Sequence, residues 1–593
     1  MKKLIYFFVL LILISSVSLS FANAQDINGN KQDNPPKINN GFIPEEKSSY
    51  MISVIDPTPD TNPLGAFYPG LRGGNQLIIY TPKYGERTGT NEFGREAVVV
   101  KGVVVDITGG NSLIPKDGFV ISGHGRAKDW INRNLIIGSF IKTNPVNNII
   151  ESKITPESYI FKTNQSIGEV KRIIHENKRE IKGYEYKISN NYLKSASKTL
   201  SEARKAFLKQ NYDKSRELSN SAGELAKSAL YYAVPSIQGE FHGIWLRPVE
   251  KTPDDIAKTL DKLHSTGINN LFIESYYHGY TIFPSKTLAS YGVIPQRKEF
   301  QGWDPLKVWI EEAHKRNIKV HVWFQTFYTG NENISLNPAH VLSVHPEWAN
   351  LQRKNYASEK PMPSKSEHNG YFLDPANPDV QKYLTALLTE VVQNYSPDGI
   401  NIDYIRYPAS LPTSFPDYIN STWGYTQFAR NEFKNIYGKD PVELSLEDPL
   451  WQKWIEYRQN KVSGFVSGLR NIVKDRKIML STVIFPDLGE GPVVKLQNWK
   501  QWGDNCYVDA FTPLVLGSDK FLVGTYLKGI KDAVDARVNI YPGLFQPFTG
   551  ATPEDLLQQI IEARKSGAQG MVIFDYAHLS EDYIKAINSR AFR

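Results

Sequence analysis

From Gly239 onward, short apolar runs alternate with longer amphipathic segments. Segments such as PDDIAKTLDKLHSTG and PEDLLQQIIEARKSG repeat apolar residues every three or four positions, which predicts helices. The apolar runs between such segments predict eight strands, at residues 243–249, 269–275, 319–325, 399–407, 477–485, 508–515, 539–545 and 570–577. Eight successive strand–helix units predict a (β/α)8 barrel, an α/β fold, over residues 237–593.

The main alternative is an open, doubly wound parallel sheet, which also alternates strands with helices. Nucleotide-binding versions of that fold carry a glycine-rich phosphate loop after the first strand, and this sequence has none there. Long insertions follow strands 2, 3 and 4, where barrel enzymes build their substrate cleft. We therefore favour the barrel.

Side chains along a barrel strand alternate between the interior and the surrounding helices. In DGINIDYIRYP this alternation turns Ile400 and Ile402 outward and Asn401 and Asp403 inward. Asp403 lies near the C-terminal end of its strand, where the active sites of barrel enzymes form. A buried carboxylate is costly without partners, so we expect Asp403 to have polar neighbours, such as Arg406, or a chemical role.

The same reasoning selects polar and aromatic residues near the ends of other strands. Two carboxylates in an aromatic-lined cleft are what glycoside hydrolysis requires, because one acid protonates the leaving oxygen while the other attacks the anomeric carbon or activates water. We predict Glu274 and Asp403 as this pair, with Asp575 as a third candidate. The predicted substrate-binding residues are Arg247, His321, Trp323, Gln325, Asn401, Arg406, Tyr276 and Tyr277.

Each of these residues also has a structural interpretation. Asp403 could be an aspartate tied to Arg406 or to a loop amide, and Glu274 could form a salt bridge or hold a substrate hydroxyl. His321 could be a core histidine whose hydrogen bonds are satisfied.

The N-terminal part of the chain divides into four further segments. MKK, an apolar run from Leu4 to Leu19 and the small residues Ala22-Asn23-Ala24 predict a secretory signal peptide cleaved after Ala24, with an uncleaved membrane anchor as the alternative. Residues 25–49 are polar and predict a disordered tail. Residues 50–163 show short β-like runs and predict a β-rich accessory domain. Residues 164–236 show two amphipathic runs at helical spacing and predict a helical hairpin that acts as a spacer.

Composition and charge limit the classes of partner and cofactor that we expect for this chain. The net charge is +7 and the lysines are scattered, so we expect no nucleic-acid partner. No later stretch could span a bilayer, and we expect no stable membrane insertion. The single cysteine, Cys506, excludes internal disulfides. No cluster has zinc or EF-hand spacing, and we expect no cofactor and no metal, although calcium ligands gathered from distant loops remain an open alternative.

Two resemblances add to this picture. GEFHGIWLRP, FIESYYHGYTIFPS, DPLKVWIEEAHKRNIKVHVWF, FLDPANPDVQKYL and PDGINIDYIRYP resemble the glycosyl hydrolase-like family 10, over roughly residues 238–590. The resemblance implies a secreted (β/α)8 protein of the glycoside hydrolase class, and the family's acidic residues at strand ends would map to Glu274 and Asp403. GTNEFGREAVVV and IPKDGFVISGHGRAKDW resemble the opening of phosphodiester glycosidase-type domains.

The sequence therefore predicts a secreted glycoside hydrolase of the bacterial cell envelope. Its substrate would be an envelope or environmental polysaccharide, and its N-terminal module could associate with the cell wall. One alternative is a non-catalytic glycan-binding barrel. Another is a lyase or transglycosylase on the same fold.

Overall fold

The computed structural model describes residues 43–58, 75–90, 94–144, 146–358, 360–489, 491–517, 520–534, 537–544 and 551–593. The predicted signal peptide and residues 25–42 of the predicted tail lie outside these ranges. Residues Glu45–Arg593 form one unit, and it is this unit that is described below. None of the described helices combines the length and the apolar character that a membrane crossing needs.

The N-terminal part folds into a β-sheet. Its strands are β1 (Glu46–Met51), β2 (Val54–Ile55), β3 (Leu77–Tyr80), β4 (Arg95–Val100), β5 (Val103–Thr108), β6 (Gly118–Gly123), β7 (Phe140–Asn144) and β8 (Ile149–Ile154). In the sheet these strands are ordered β1-β8-β7-β5-β4-β6-β3-β2. Among the described residues, only β2 and β3 pair in parallel. Helix α1 (Arg126–Asn134) covers one face of the sheet, and its own side chains Trp130 and Ile131 pack into the core between helix and sheet. The predicted β-rich N-terminal part is confirmed.

Three helices follow the sheet: α2 (Pro156–Glu180), α3 (Lys187–Leu208) and α4 (Tyr212–Ala233). The predicted hairpin corresponds to α3 and α4, and α2 is additional. Thr155 lies at the N-cap of α2, where its backbone N–H donates to Oγ of Ser158, and Pro156 occupies the first turn, which is a favourable start for a helix. The helices share a hydrophobic core with the barrel, so they pack along it instead of holding two parts at a distance.

The C-terminal part is a barrel of parallel strands. They are β9 (Phe241–Leu246), β10 (Asn270–Tyr277), β12 (Lys319–Gln325), β13 (Gly399–Asp403), β14 (Met479–Ile484), β15 (Ala510–Pro513), β16 (Asn539–Ile540), β17 (Gly543–Leu544) and β18 (Gly570–Ile573), while the short β11 (Tyr280–Thr281) pairs antiparallel with β10. The sheet order is β16-β15-β14-β13-β12-β10-β9-β18-β17.

The two short strands β16 and β17 close the barrel. They are pieces of one strand interrupted at Tyr541-Pro542, and β16 pairs with β15 while β17 pairs with β18. A bridge between Leu514 and Gly543 joins β15 to β17 as well. Counting β16 and β17 as one strand, the described residues form the eight-stranded closed sheet that the sequence predicts.

Helices surround the barrel. They are α5 (Pro253–Thr266), α6 (Lys286–Ser290), α7 (Pro305–His314), α8 (Val341–Val344), α9 (Pro378–Asn394), α10 (Tyr418–Ser421), α11 (Gln427–Tyr437), α12 (Leu450–Val473), α13 (Gly491–Val494), α14 (Trp499–Asp504), α15 (Lys520–Ala533), α16 (Pro553–Lys565) and α17 (Glu581–Ala586). Four of them begin with a capping side chain followed by proline, at Thr252, Asp304, Asn377 and Thr552. Each cap accepts a hydrogen bond from a free backbone N–H of the first turn, which explains why these helices start where they do.

Aromatic side chains fill the barrel interior. Phe241 stacks on Tyr541 with ring centroids 4.0 Å apart, and Phe272 stacks on His321 at 4.6 Å. Trp245 lies 6.3 Å from Trp323. The next inward positions toward the C-terminal ends of β9, β10, β12 and β13 carry polar groups, and these form the candidate site.

Candidate functional site at the C-terminal ends of the barrel strands

Four polar side chains from neighbouring strands meet at one end of the barrel: Arg247, Glu274, Gln325 and Asp403, here called the mouth cluster. Arg247 follows β9, Glu274 lies on β10, and Gln325 and Asp403 end β12 and β13. These strands are consecutive in the sheet, and Gln325 and Asp403 are direct neighbours in register. The alternation predicted from the sequence therefore brings these four residues together.

Glu274 is the most enclosed member of the cluster, with 0% of the residue exposed. Arg247 donates to both of its carboxylate oxygens, from Nε to Oε2 and from Nη2 to Oε1 at 3.1 Å. The amide of Gln325 donates to Oε1 at 2.7 Å. Burial raises the pKa of Glu274, and Arg247 opposes this rise. The carboxylate is held in one orientation, and the Arg247 side chain, which is 51% exposed, presents the pair to solvent.

Asp403 is only partly buried and is held by two donors. The indole Nε1 of Trp323 donates to Oδ2 at 3.0 Å, and the backbone N–H of Tyr404 donates to Oδ1 at 2.6 Å. Burial raises the pKa of Asp403, while these donors lower it. A carboxyl group with a raised pKa at a barrel mouth is suited to proton transfer.

Asp575 follows β18, on the other side of Arg247 from Glu274 in the sheet order. Its Oδ1 lies 2.6 Å from Nδ1 of His578, and its side chain is 17% exposed. Arg247 connects the two carboxylates electrostatically: burial lowers its pKa, but Glu274 and, more weakly, Asp575 raise it above its ordinary value. Asp575 therefore lies within electrostatic range of Arg247.

The end of β10 and the insertion that follows it add three residues, Tyr277, His278 and Arg297, of which the sequence prediction names only Tyr277. The guanidinium of Arg297 lies 3.9 Å from the centre of the Tyr277 ring, and that of Arg247 lies 5.3 Å from it. The backbone N–H of His278 donates to Oε1 of Gln325 at 3.2 Å. Burial and the two arginines lower the pKa of His278 to about 4, so its ring is neutral at pH 7. The sequence SYYHGYTIFPS indicates an aromatic segment here, but it does not single out His278 or the later Arg297.

Three predicted substrate-binding residues lie inside the barrel. His321 stacks on Phe272 and its Nε2 contacts Oδ1 of Asn270 at 3.0 Å, and burial lowers its pKa to about 4. The amide of Asn401 donates to Ser481 and Thr512 and accepts from Trp245. Trp323 is buried, but its indole N–H reaches Asp403. His321 and Asn401 thus belong to the packed interior, and Trp323 supports the mouth cluster from below.

Two other predicted ligands point away from the mouth cluster. The strand pairing shifts between Glu274 and Tyr276, so Tyr276 stacks on Phe324, a residue of outward parity, at 4.5 Å. Arg406 is buried and pairs at 2.6 Å with Glu367, from the long insertion after β12. It is therefore not the direct partner of Asp403.

The described residues contain no group of three or more His, Cys, Asp or Glu side chains arranged to hold a metal ion. Together with Arg297 and Tyr277, the mouth cluster offers guanidinium hydrogen-bond donors and an aromatic surface. These groups are suited to hydroxyl-bearing rings.

Comparison with known proteins identifies relatives of the barrel. The family profile described as Glycosyl hydrolase-like 10 matches residues 240–543, which include Arg247, Glu274 and Asp403 but not Asp575. Glycosyl hydrolase DigH of Escherichia coli (strain K12) is 31% identical over 163 residues, which cover 26% of this chain and 34% of that protein. Glycosyl hydrolase YngK of Bacillus subtilis (strain 168) is 26% identical over 194 residues, covering 32% and 34%. The match thus spans about a third of these relatives' length.

Among solved structures, the glycoside hydrolase domain of PgaB (BpsB) from Bordetella bronchiseptica covers 60% of this chain and 99% of its own, at 13% identity and a TM-score of 0.44. At this score the likeness adds no weight, and the barrel assignment rests on the strand pairing described above.

Proposed function

The chain belongs to the glycosyl hydrolase-like 10 family, and on this basis we propose that it hydrolyses glycosidic bonds in an envelope or environmental polysaccharide. The observation that carries the proposal is Asp403. It is a partly exposed carboxyl group with a raised pKa, fixed by Trp323 and Tyr404 at the C-terminal end of a barrel strand. Such a group can donate a proton to the leaving glycosidic oxygen.

Glu274 has a different part in this proposal from the one expected from the sequence. Its carboxylate is fully buried, and both oxygens accept bonds from Arg247 and Gln325. A group so enclosed does not reach a sugar ring in this arrangement. We assign Glu274 as a positioning residue that fixes the exposed guanidinium of Arg247 for binding hydroxyl groups.

The second carboxylate is then Asp575. Its side chain is partly exposed and lies close enough to Arg247 to influence that residue's pKa. In this scheme Asp403 donates the proton, and Asp575 attacks the anomeric carbon or activates water. The reaction consumes one water molecule for each bond cleaved and requires no cofactor.

The test compares variants against a panel of envelope and plant glycans, with released reducing ends as the readout. Asp403→Asn and Asp575→Asn should each lower kcat by about 10³-fold. Glu274→Gln should act mainly on KM, because it loosens Arg247 without removing a proton donor. Asp398→Asn is the matched control: Asp398 immediately precedes β13 at its opposite end, where it accepts from the Val320 N–H, so turnover should stay close to wild type. Wild-type turnover in Asp403→Asn would refute the assignment.

One observation favours a non-catalytic glycan-binding protein as the second candidate. All three carboxylates are already hydrogen-bonded, Glu274 to Arg247, Asp403 to Trp323 and Asp575 to His578. A binding protein would retain oligosaccharides at equilibrium without releasing any reducing ends. Calorimetric titration of the same glycans, followed by product analysis, separates the two functions.

We further propose that the protein acts outside the cytoplasm, with the signal peptide cleaved after Ala24 and the N-terminal sheet in contact with the cell wall. The support is the sequence of the first residues and the family's glycosidase character. N-terminal sequencing of the exported protein tests the cleavage site, and a pull-down with purified wall material tests the contact.

A further inference from the structure

Arg458, on the inner face of α12, is a cation enclosed behind the loop that follows β13. Only 1% of the residue is exposed. Its Nη1 donates to the carbonyl of Trp423 at 2.8 Å, and its Nε donates to the carbonyl of Trp454 at 3.1 Å. Among the described residues, Nη2 has no hydrogen-bond partner.

The surroundings of Arg458 hold an excess of donors. The Trp454 ring centre lies 4.8 Å from Cζ of Arg458. The side chains of Tyr407 and Arg458 both lie against the same side of Gly424, so the two side chains are close to each other. In the described part of the chain, Oη of Tyr407 and the Nε1 atoms of Trp423 and Trp454 are buried without partners. A water molecule could accept from these groups but would bring two hydrogens that need acceptors of their own, whereas an anion only accepts.

Asp374 and Glu432, the two carboxylates that influence the pKa of Tyr407, are engaged elsewhere. Asp374 accepts from Oγ1 of Thr426 at 2.5 Å and from the Ala376 N–H at 3.0 Å. Glu432 accepts from Oη of Tyr457 at 2.5 Å and pairs with Lys461 at 2.6 Å.

Burial lowers the pKa of Arg458, yet an arginine side chain stays protonated in proteins. A buried cation without a counter-charge is strongly unfavourable. The charge of Arg458 thus has no compensating carboxylate within the described residues.

We propose that Arg458, together with Tyr407 and the indole N–H groups of Trp423 and Trp454, binds a small monovalent anion of the chloride type. The enclosure excludes solvent, which favours a small halide over a bulky, strongly hydrated oxyanion. Tyr407 belongs to the segment that begins with Asp403, so the bound ion would tie the end of β13 to α12. This inference does not depend on the proposed function, because it concerns an ion held behind the barrel mouth.

The test measures thermal unfolding of the full protein in sodium chloride and in sodium gluconate at matched ionic strength. For the wild type, Tm should rise by about 2 °C or more between 1 and 100 mM chloride and should not rise in gluconate. Arg458→Met should lose the chloride-specific rise. Arg470→Met is the control on the same helix, since Arg470 pairs with Asp509 away from the enclosure, and it should keep the rise.

A second measurement uses the wild type alone and so stands even if Arg458→Met fails to fold. Crystals soaked in sodium bromide should show an anomalous peak beside Nη2 of Arg458. Equal unfolding in chloride and gluconate, or no bromide peak at Arg458, would overturn the proposal. The aromatic rings and the two carbonyls alone would then stabilise the guanidinium.

Discussion

Because the Glu274 carboxylate is buried, the free energy of unfolding that is lost when Arg247 is replaced can be predicted. Replacing Arg247 by methionine keeps most of the aliphatic stem but removes both bonds to Glu274. Removing one partner of a buried ion pair costs about 3–5 kcal/mol. Because half of the Arg247 side chain is exposed, solvent screens part of the interaction, and a loss of about 2 kcal/mol at pH 8 is more realistic.

The loss should depend on pH in a definite direction. Burial already raises the pKa of Glu274, and Arg247 is the main group that lowers it. Without Arg247 the pKa rises further. A carboxylate whose pKa is raised in the folded state loses stability as the pH rises above its unfolded value of about 4.3. The difference between variant and wild type should therefore be close to zero at pH 4.5 and largest at pH 8.

Urea unfolding at pH 4.5, 6 and 8 measures this difference. The control is Arg316→Met, because Arg316 pairs with the exposed Asp261 and with Glu312, four residues earlier in the chain, and its effect should be small at every pH. A loss for Arg247→Met that is the same at pH 4.5 and pH 8 would show that the charge of Glu274 is not what Arg247 compensates.

Two further stability predictions follow from the packing. A Cβ at residue 399 would lie 2.1 Å from Nδ1 of His321, so Gly399→Ala should lower the unfolding free energy by about 2 kcal/mol. Gly464→Ala, with open space around its Cβ in a helix, should raise it by about 0.5–1 kcal/mol, and equal effects would contradict the packing argument. Although burial opposes it, Arg406 lowers the pKa of Glu367 to about 2. Glu367→Gln should therefore cost about 3 kcal/mol at pH 7 by urea unfolding, with a smaller difference at pH 3, because Glu367 is then protonated in the unfolded chain while it stays largely ionised in the folded protein; a difference that does not shrink would count against the pair.

The barrel and its inward positions could be predicted because they depend only on local alternation. Asn401 and Asp403 share a parity with Trp323 and Gln325 once strands are recognised, and the structure places all four toward the interior or the mouth. Caps such as Thr252-Pro253 are likewise local signals.

The remaining parts of the site depend on irregularities and distant contacts. The shift in pairing after Glu274 turns Tyr276 outward, and no alternation rule contains it. Tyr404 has a φ of 48°, in the left-handed region, which ends β13 and carries Arg406 away from Asp403. Arg406 then meets Glu367, 39 residues earlier in an irregular insertion, a pairing that sequence spacing cannot reveal.

The most direct test of the central claim is to follow cleavage of a glycan in water enriched in ¹⁸O. With wild-type protein, mass spectrometry should find one ¹⁸O atom at each bond cleaved, and Asp403→Asn should form almost no product. Products without ¹⁸O that carry an unsaturated sugar, or equal product from wild type and Asp403→Asn, would contradict hydrolysis by the carboxylates at the barrel mouth.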